Sequence, residues 1–400
     1  MAIFQRELLG IAIGPRRDAM EAAVLRLEGI GLGITPSVAQ SSRVRLSAET
    51  VFEERGGPSA LASWLEAIRY AVCQVSQQGR LESQRLLALG LLVSPGEETS
   101  VAKHSPGWHQ DLLAEAVAEQ SGITTISDFS LRDRAAGGSG QLIEAAADYL
   151  LFRHSVEERI LIRLGSVTTI LWIPPGGKIT ELIGLTAGPG HRLLDEIVRL
   201  GTRGREFADT GGKKAVQGRF LEALQSSWLE MPFLSRRPPR ILSETTFGPD
   251  FLTHCFEKTR QLGGTLADLL CTATHFIAGC VADAVHRWLP PAQNSRRILL
   301  AGEGCRNGFL WKRLAEHFPR QTLEPIDAVG VPNQAGLAAA AGVLAVLTLD
   351  GVAGNLPLLT GASGGRLVGR IVPGDLRNWA ACTQWMARRT GEYLAISRAA

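Results

Sequence analysis

The sequence has little of what marks a secreted, membrane-spanning or metal-binding protein. Its six cysteines are scattered and none forms a C-x-x-C pair, which predicts neither a disulfide framework nor a zinc ribbon. The eight histidines are equally dispersed, without an H-E-x-x-H spacing. No secretory signal pattern is present, and no apolar run reaches the roughly 18 residues that cross a bilayer. These absences predict a cytoplasmic protein with no metal centre of its own and no membrane partner.

An excess of charge of one sign is also missing. Lysine and arginine number 42 and aspartate and glutamate 39, so the net charge of +3 gives no basis for nucleic-acid binding. Apolar residues make up 45% of the chain and charged residues 20%, the balance of an ordinary folded protein. A chain of 400 residues is too long for one hydrophobic core, which predicts two domains of about 150–200 residues each.

A run of three short strands separated by turns occurs twice in the sequence. The first run begins near residue 5, and the second has predicted strands at 159–164, 167–173 and 179–185. Helices and further strands follow each run. The pattern predicts an α/β protein with two similarly built lobes, residues 1–155 and 156–400. The last predicted helix lies within 376–400 and could pack back on the N-terminal lobe.

Three predicted strands run into glycine-containing turns, at 10–18 (GIAIGPRRD), 185–195 (LTAGPGHRLLD) and 301–307 (AGEGCRN). Open α/β folds bind ligands at the carboxyl ends of strands, where unpaired backbone N–H groups hold phosphate. The alternative is that each glycine only permits a tight turn. No P-loop G-x-x-x-x-G-K-[ST], no G-x-G-x-x-G after the first strand and no G-x-S-x-G is present. The residues alone therefore predict a two-lobed α/β protein and leave nucleotide binding open.

Six segments, in order along nearly the whole chain, resemble the motifs of a single protein family. Residues 127–140 (SDFSLRDRAAGGSG) are similar to D-F-R-x-x-D-x-A-x-G-G-x-G, and residues 186–195 (TAGPGHRLLD) to D-T-G-P-G-N-x-x-x-D. Residues 301–307 are similar to an adenosine loop, G-G-G-x-x-N. The strand pair at 159–173 and the segments 326–332 (IDAVGVP) and 354–363 (GNLPLLTGAS) are similar to further signatures. The family that these segments resemble is that of the anhydro-N-acetylmuramic acid kinases.

The resemblance implies a two-lobed actin- and hexokinase-like fold, with a duplicated mixed sheet in each lobe and a cleft between the lobes. The family opens the anhydro ring of 1,6-anhydro-N-acetylmuramic acid and phosphorylates the 6-oxygen with ATP and Mg²⁺, in peptidoglycan recycling. A carboxylate must activate the attacking water in that reaction. The resemblance implies that Asp133 and Gly138 contact the substrate. It also implies a set of nucleotide-binding residues, which are Gly14, Gly188, Gly190, Gly302, Gly304 and Asn307.

The chain departs from the family pattern at residues that carry the chemistry. Thr186 stands where the family has its catalytic aspartate, and Arg163 and Thr169 stand where it has two asparagines. A threonine hydroxyl is not a general base near neutral pH, and loss of such a base typically costs about 10²–10⁴-fold in rate. The glutamate that the family has before an alanine-rich helix aligns with Leu337.

The residues that would hold phosphate also differ. In the first loop, where the family has G-T-S-x-D-G, Pro15 removes a backbone donor and both hydroxyls are lost, although Asp18 remains. Glu303 stands where the adenosine loop has glycine, and its side chain would fill the space or repel phosphate. The resemblance therefore implies ATP and Mg²⁺ as cofactors, while the replaced residues predict that they bind loosely.

Three hypotheses about function follow. The first is an active sugar kinase in which Asp18, Asp128 or Asp195 serves as a relocated base. The second is a family member that has lost catalysis and binds a nucleotide or a cell-wall sugar as a sensor. The third is an interaction protein without a small ligand. The replaced residues favour activity that is lost or much reduced. The predicted partner is an anhydro amino sugar or another small molecule, and a homodimer is left open.

Overall fold

The computed structural model describes residues 5–14, 19–46, 58–76, 86–94, 108–242, 246–291 and 296–399. The contacts between residues divide the chain into two compact units. The first unit comprises Met1–Phe152 together with Val329–Ala400, and the second is Arg153–Ala328.

The described residues form eleven strands and thirteen α-helices. The strands are β1 (Gln5–Ile13), β2 (Ala19–Glu28), β3 (Thr35–Arg45), β4 (Leu86–Val93), β5 (Thr125–Ser127), β6 (Glu158–Leu164), β7 (Val167–Ile173), β8 (Ile183–Pro189), β9 (Arg296–Ala301), β10 (Thr322–Pro325) and β11 (Arg370–Val372). The helices are α1 (Pro58–Ser76), α2 (Trp108–Ser121), α3 (Phe129–Ala135), α4 (Ala145–Phe152), α5 (His191–Gly201), α6 (Glu222–Leu229), α7 (Pro232–Ser235), α8 (Pro249–Gln261), α9 (Leu266–Trp288), α10 (Gly308–His317), α11 (Gly336–Leu349), α12 (Pro357–Thr360) and α13 (Leu376–Ala399).

Each unit contains a mixed sheet, and five strands have the same arrangement in both, while β11 is an additional edge strand in the first unit. In the first unit the order is β11-β5-β4-β1-β2-β3, and in the second it is β10-β9-β6-β7-β8. Each sheet begins with three antiparallel strands, and the first strand of each triplet also pairs in parallel with a later strand. The predicted duplication is therefore confirmed. The third strand of the second triplet begins later than predicted, because residues 179–181 form a short 3₁₀ helix.

Helix α11 lies directly on the sheet of the first unit because glycines remove the side chains between them. A Cβ atom on Gly10 of β1 would overlap the carbonyl oxygen of Ala338, and one on Gly90 of β4 would overlap that of Ala341. The helix itself is rich in alanine and is buried along nearly its whole length. Small residues on both surfaces thus let main chain pack on main chain.

A buried ion pair ties the end of α11 to the first strand. Arg6 on β1 donates to both carboxylate oxygens of Asp350, at 2.6 and 3.1 Å. Asp350 also accepts hydrogen bonds from Gly31 N and from Trp385 Nε1 on α13. The bonds from Arg6 and Gly31 to Asp350 join residues more than 300 positions apart in the sequence, and α11 and α13 both belong to the first unit.

The extent of the second unit differs from the predicted lobe at 156–400. Its boundary near residue 153 lies close to the predicted one, but residues 329–400 belong to the first unit. The reason is that β11 pairs with β5 and that α11 packs on β1 and β4. The last helix also contacts the first unit, where the Asn378 side chain accepts from Thr124 N and donates to Leu86 O.

Helix α9 is the centre of the hydrophobic core of the second unit. It packs against α5, α10 and β8, and most of its residues are buried. Within the described residues it is the one helix long and apolar enough to cross a membrane, and 78% of its most apolar window is buried inside the protein. A capping box starts the helix, in which Asp268 N donates to Thr265 Oγ1 and Thr265 N donates to Asp268 Oδ2.

We predict that Gly90→Ala lowers the free energy of unfolding. The added methyl group would meet a backbone oxygen of α11, so the helix must shift as in an overpacked core, at a cost of about 1–3 kcal/mol or more. Gly33→Ala is the matched control, because a Cβ atom at Gly33 has no neighbour within 4 Å. Urea denaturation of the two variants and the native chain measures the difference. Equal stability of the two variants would contradict the close helix–sheet contact.

A second prediction concerns Asp268 and pH. Hydrogen bonds from the backbone N–H groups of Thr265 and then Arg219 hold the pKa of Asp268 below its usual range. Because this pKa is lower in the folded chain, the carboxylate stabilises the fold above its unfolded pKa, and the contribution is lost as pH falls through the folded value. Asp268→Asn should lower the free energy of unfolding by about 1 kcal/mol at pH 7, and by less below about pH 4.

The control for this prediction is Asp250→Asn, which changes an exposed carboxylate in the first turn of α8. Chemical denaturation across this pH range is the measurement. The prediction fails if Asp268→Asn destabilises the chain equally at all pH values.

Candidate functional site

The three replaced motif positions lie side by side in the sheet of the second unit. Arg163 on β6 is opposite Thr169 on β7, and Thr169 is opposite Thr186 on β8. Residues directly opposite one another on neighbouring strands point to the same face of a sheet. The adjacent row, formed by Ile162, Ile170 and Leu185, belongs to the hydrophobic core. The row of Arg163, Thr169 and Thr186 therefore occupies the other face, and all three residues are buried.

The end of β8 is bulged just beyond this row. Thr168 is opposite Gly188 while Thr169 is opposite Thr186, so Ala187 is the extra residue. Gly188 packs against helix α9, where its Cβ atom would lie 3.0 Å from that of Cys280. Its absence of a side chain is thus explained by helix packing, and a contact of Gly188 with nucleotide stays a prediction.

A buried arginine holds the bulged strand end. Arg240 donates from Nε to Thr186 O at 2.8 Å, from Nη2 to Ala187 O at 2.9 Å and from Nη1 to Leu234 O at 2.8 Å. Its own carbonyl accepts from Thr186 N. Desolvation lowers the pKa of this guanidinium, which also lies over the ring of Phe233. One side chain therefore holds the main chain at the bulged residue Ala187 and at Thr186 just before it.

Two of the predicted glycine turns meet on the turn between β6 and β7. Gly190 N donates to Ser166 O, and a Cβ atom on Gly190 would overlap Gly165 O. Gly302 has a φ of 93°, and its Cβ atom would lie 2.9 Å from Leu164 O. Gly304 packs on the same residue, at 2.6 Å from the Leu164 Cβ atom. These glycines are therefore needed for packing as well as for any ligand.

The remaining predicted turn, at 10–18, belongs to the first unit. Gly14 follows β1, and a Cβ atom there would meet nothing within 4 Å. Pro15, Arg16 and Asp18 lie outside the described residues. A shared cleft lined by Gly14, Gly188 and Gly302 stays a prediction.

A histidine joins the two glycine turns of the second unit. His191 begins α5, and its Nδ1 lies 3.3 Å from Leu164 O. Its Nε2 lies 3.6 Å from a carboxylate oxygen of Glu303 and 3.9 Å from one of Asp195. His191 stands at the asparagine of D-T-G-P-G-N and Glu303 at a glycine of the adenosine loop. The sequence analysis singled out Glu303 but not His191, because nothing local in the sequence shows that the two turns meet.

Two other side chains of the adenosine loop have structural roles. Asn307 Oδ1 accepts from Leu310 N and caps α10, and it also lies where a Cβ atom on Gly212 would be. Burial raises the pKa of Cys305 to about 12, so its thiol is neutral and a poor nucleophile. Nucleotide binding by Asn307 remains a prediction.

In the first unit, Asp133 organises the loop that resembles a substrate motif. Its carboxylate accepts from Thr360 Oγ1 and Asn355 Nδ2, each at 2.7 Å, and from Gly140 N at 2.9 Å. The residue is fully buried, and a Cβ atom on Gly138 would overlap the carboxylate. These hydrogen bonds join segment 127–140 to segment 354–363. Substrate binding by Asp133 and Gly138 is still a prediction, and the loop backbone is the part that could provide it.

Two further carboxylates of the first unit bear on the search for a relocated base. Asp128 has a left-handed φ of 58°, and its carboxylate accepts from Arg370 Nε and Ser127 Oγ, each at 3.0 Å. Glu21 on β2 accepts from Leu337 N at the start of α11, where the family pattern has a glutamate. Both carboxylates thus have hydrogen-bond partners within their own unit.

The described residues contain no group of three or more histidine, cysteine, aspartate or glutamate side chains placed to hold a metal ion. The site therefore consists of backbone turns, hydroxyls and a few charged groups.

Each of the two units is built on a mixed sheet, so the chain has a two-unit α/β fold. Solved structures to which the chain is similar include the activator of the 2-hydroxyisocaproyl-CoA dehydratase from Clostridium difficile with bound ADPNP. It is 12% identical, with a TM-score of 0.42, over 85% of this chain and 94% of that chain. A ROK family glucokinase from Streptomyces griseus in complex with glucose and AMPPNP is 15% identical, with a TM-score of 0.37, over 84% of this chain and 98% of that chain.

Sequence comparison defines the family. The family model described as anhydro-N-acetylmuramic acid kinase matches residues 98–374. A protein of that name from Synechocystis sp. is 30% identical over 91% of this chain and 97% of its own length. Another, from Synechococcus elongatus, is 31% identical over 91% and 98%. The chain belongs to the anhydro-N-acetylmuramic acid kinase family.

We predict that Arg240→Met destabilises the chain by at least about 3 kcal/mol, because it leaves three buried carbonyl oxygens without this donor at about 1–3 kcal/mol each. Arg240→Lys keeps the charge and some of the hydrogen bonds, so its free energy of unfolding should lie between those of Arg240→Met and the native chain. Arg236→Met, at an exposed position in the same segment, should change stability by less than about 0.5 kcal/mol. Guanidinium denaturation measures all three, and a neutral Arg240→Met would contradict the role of this arginine.

Proposed function

We propose that this chain keeps the ligand-binding fold of its family and phosphorylates 1,6-anhydro-N-acetylmuramic acid slowly or not at all. The observation that carries the proposal is the row of Arg163, Thr169 and Thr186. The family pattern puts two amides and a carboxylate at these positions, and here they hold a guanidinium and two hydroxyls. The row contains no group that accepts a proton from water near neutral pH.

The reaction in the family explains why this replacement matters. Water attacks the anomeric carbon as the anhydro bond breaks, and the 6-oxygen that is freed attacks the terminal phosphate of ATP. A base must take the proton of the water in the first step, and its loss costs about 10²–10⁴-fold. The hydroxyl of Thr186 is buried and belongs to a group that ionises far above neutral pH.

The carboxylates that could act in its place support the proposal. Asp133 is fully buried and has three donors. Asp128 is bound by Arg370, and Asp195 lies beside His191. Asp18 falls outside the described residues. Two of the three candidate bases, Asp128 and Asp195, therefore already lie beside a basic side chain, and the third, Asp18, is outside the described residues.

The retained glycine turns favour a ligand-binding role without catalysis as the second candidate function. Glycines stand at 188, 190, 302 and 304 as in the family motifs, so the backbone at these turns could approach a ligand closely. We expect Mg-ATP to bind loosely, at high micromolar to millimolar dissociation constants, or about −4 to −6 kcal/mol.

The proposed setting follows from the same reasoning. All six cysteines are free thiols, which fits the reducing cytoplasm. The proposed partner is an anhydro amino sugar or another small molecule. Neither nucleic acid nor a membrane surface is a proposed partner, and a homodimer stays open.

We predict that the native chain shows little turnover in a coupled assay with ATP and 1,6-anhydro-N-acetylmuramic acid. Thr186→Asp combined with Ala187→Thr should raise kcat, by as much as about 10²-fold, without reaching the ordinary kinase range of about 1–100 per second. Recovery should be partial because Pro15 and Arg16 also alter the first phosphate loop. Repair of both loops together should exceed the product of the separate gains.

The matched control is Thr186→Asn, which has the shape of aspartate without its basic oxygen. It should not raise kcat. A native chain that already turns over at about 1–100 per second would contradict the proposal and would point to Asp18 or Asp128 as the base.

A further inference from the structure

The contact between α9 and α10 in the second unit contains a cluster of aromatic and basic side chains that the proposed function does not use. The ring of His275 on α9 is half-buried, and its centroid lies 4.7 Å from that of Phe220 and 5.8 Å from that of Phe309. Phe309 is in the first turn of α10, and the guanidinium carbon of Arg313 lies 5.1 Å from its ring centroid. The histidine is therefore enclosed by rings, with a permanent positive charge close by.

The titratable groups along this contact are mostly basic. Those that act on one another across the two helices are His275 and His286 on α9, and Arg313, Glu316 and His317 on α10. The one acid among them, Glu316, already pairs with Arg313. Each histidine that becomes protonated therefore adds a positive charge that no carboxylate of this group balances.

The elements packed beside His275 do not balance that charge either. Phe220 follows Arg219, whose backbone N donates to Asp268 at the start of α9. Asp268 also accepts from Thr265 N and lies about two helical turns before His275. Cys271 is one turn before His275, and burial raises the pKa of its thiol, which is therefore neutral. The surroundings of the ring favour its neutral form.

The direction of the pH effect follows from these surroundings. Desolvation and then the charge of Arg313 lower the pKa of His275, and desolvation and then His286 lower the pKa of His317. Because both pKa values are lower in the folded chain, the neutral rings stabilise it above the unfolded pKa of about 6.5. This contribution is lost as pH falls through the folded values.

We propose that the contact between α9 and α10 is a pH-sensitive element, in which protonation of His275 and His317 beside Arg313 loosens α10. Helix α10 begins where the turn at 301–307 ends, and Asn307 caps the helix by accepting from Leu310 N. Loosening of α10 therefore also releases this turn. The element acts whether or not the turn binds a nucleotide, so the inference goes beyond the proposed function.

The test is hydrogen–deuterium exchange of the full chain at about pH 7.5 and about pH 5.5, corrected for the chemical exchange rate at each pH. On going to the lower pH, protection of the α10 amides should fall at least about tenfold, the factor that corresponds to one pKa unit. The amides of α8 are the internal control and should change by less than about twofold.

Three variants separate a titrating role from a structural one. His275→Phe combined with His317→Gln removes both titrating rings, so the fall in α10 protection should shrink to less than about twofold. Glu316→Gln removes the carboxylate that raises both histidine pKa values, so it should enlarge the fall. His254→Gln changes an exposed histidine on α8 and should leave the fall as in the native chain.

The proposal is overturned if α10 protection changes by less than about twofold between the two pH values, or if α8 and α10 lose protection equally. A fall that persists in the folded double variant would also overturn it. If the double variant does not fold, an NMR titration of the histidines in the native chain decides the question. His275 and His317 should then titrate at lower pH than His254, and titration of both at or above the pH of His254 would contradict the proposal.

Discussion

The fold depends on close contact between main chains at positions where no side chain fits. In the first unit, α11 rests on β1 and β4 through Gly10 and Gly90. In the second unit, the turn between β6 and β7 is covered by the backbone at Gly190, Gly302 and Gly304. Protein interiors pack densely enough that one added methyl group at such a contact moves whole elements. These glycines are therefore required by packing whether or not a reaction takes place.

The side chains of the candidate site are under a different constraint. One row of the sheet contains Arg163, Thr169 and Thr186, and all three are buried. The fold therefore requires only that the side chains at these positions fit a buried environment. Arg240 fixes the adjoining strand end through carbonyl oxygens, which are the same for every residue type. A scaffold built in this way can keep its shape when the carboxylate of the reaction is replaced. This separation supports our proposal that the chain has kept the fold of its family while Thr186 stands in the place of the family's base.

Much of the fold could be predicted from the sequence because its signals are local. Alternating strands and turn residues predicted the two triplets β1–β3 and β6–β8, and the family motifs predicted the duplicated sheet. The return of residues 329–400 to the first unit could not be predicted locally, because it depends on pairing of β11 with β5 and on the bond between Arg6 and Asp350. The sequence likewise located the glycine turns, whereas the contact of His191 with Glu303 and the clamp by Arg240 needed coordinates. Asp133 was read as a substrate residue from its motif, and the structure adds that its carboxylate is occupied by bonds within the fold.

We propose that this member of the family lacks the base of the reaction. The most direct measurement is a single-turnover rate of phosphate transfer from radiolabelled ATP to 1,6-anhydro-N-acetylmuramic acid, made at saturating ATP. The native chain would be compared under the same conditions with its Synechocystis sp. relative, which is 30% identical and is named anhydro-N-acetylmuramic acid kinase. The account predicts transfer at least about a hundredfold slower in this chain, the smaller cost of a missing general base. Rates within about tenfold of each other would contradict it, because a base would then have to be present.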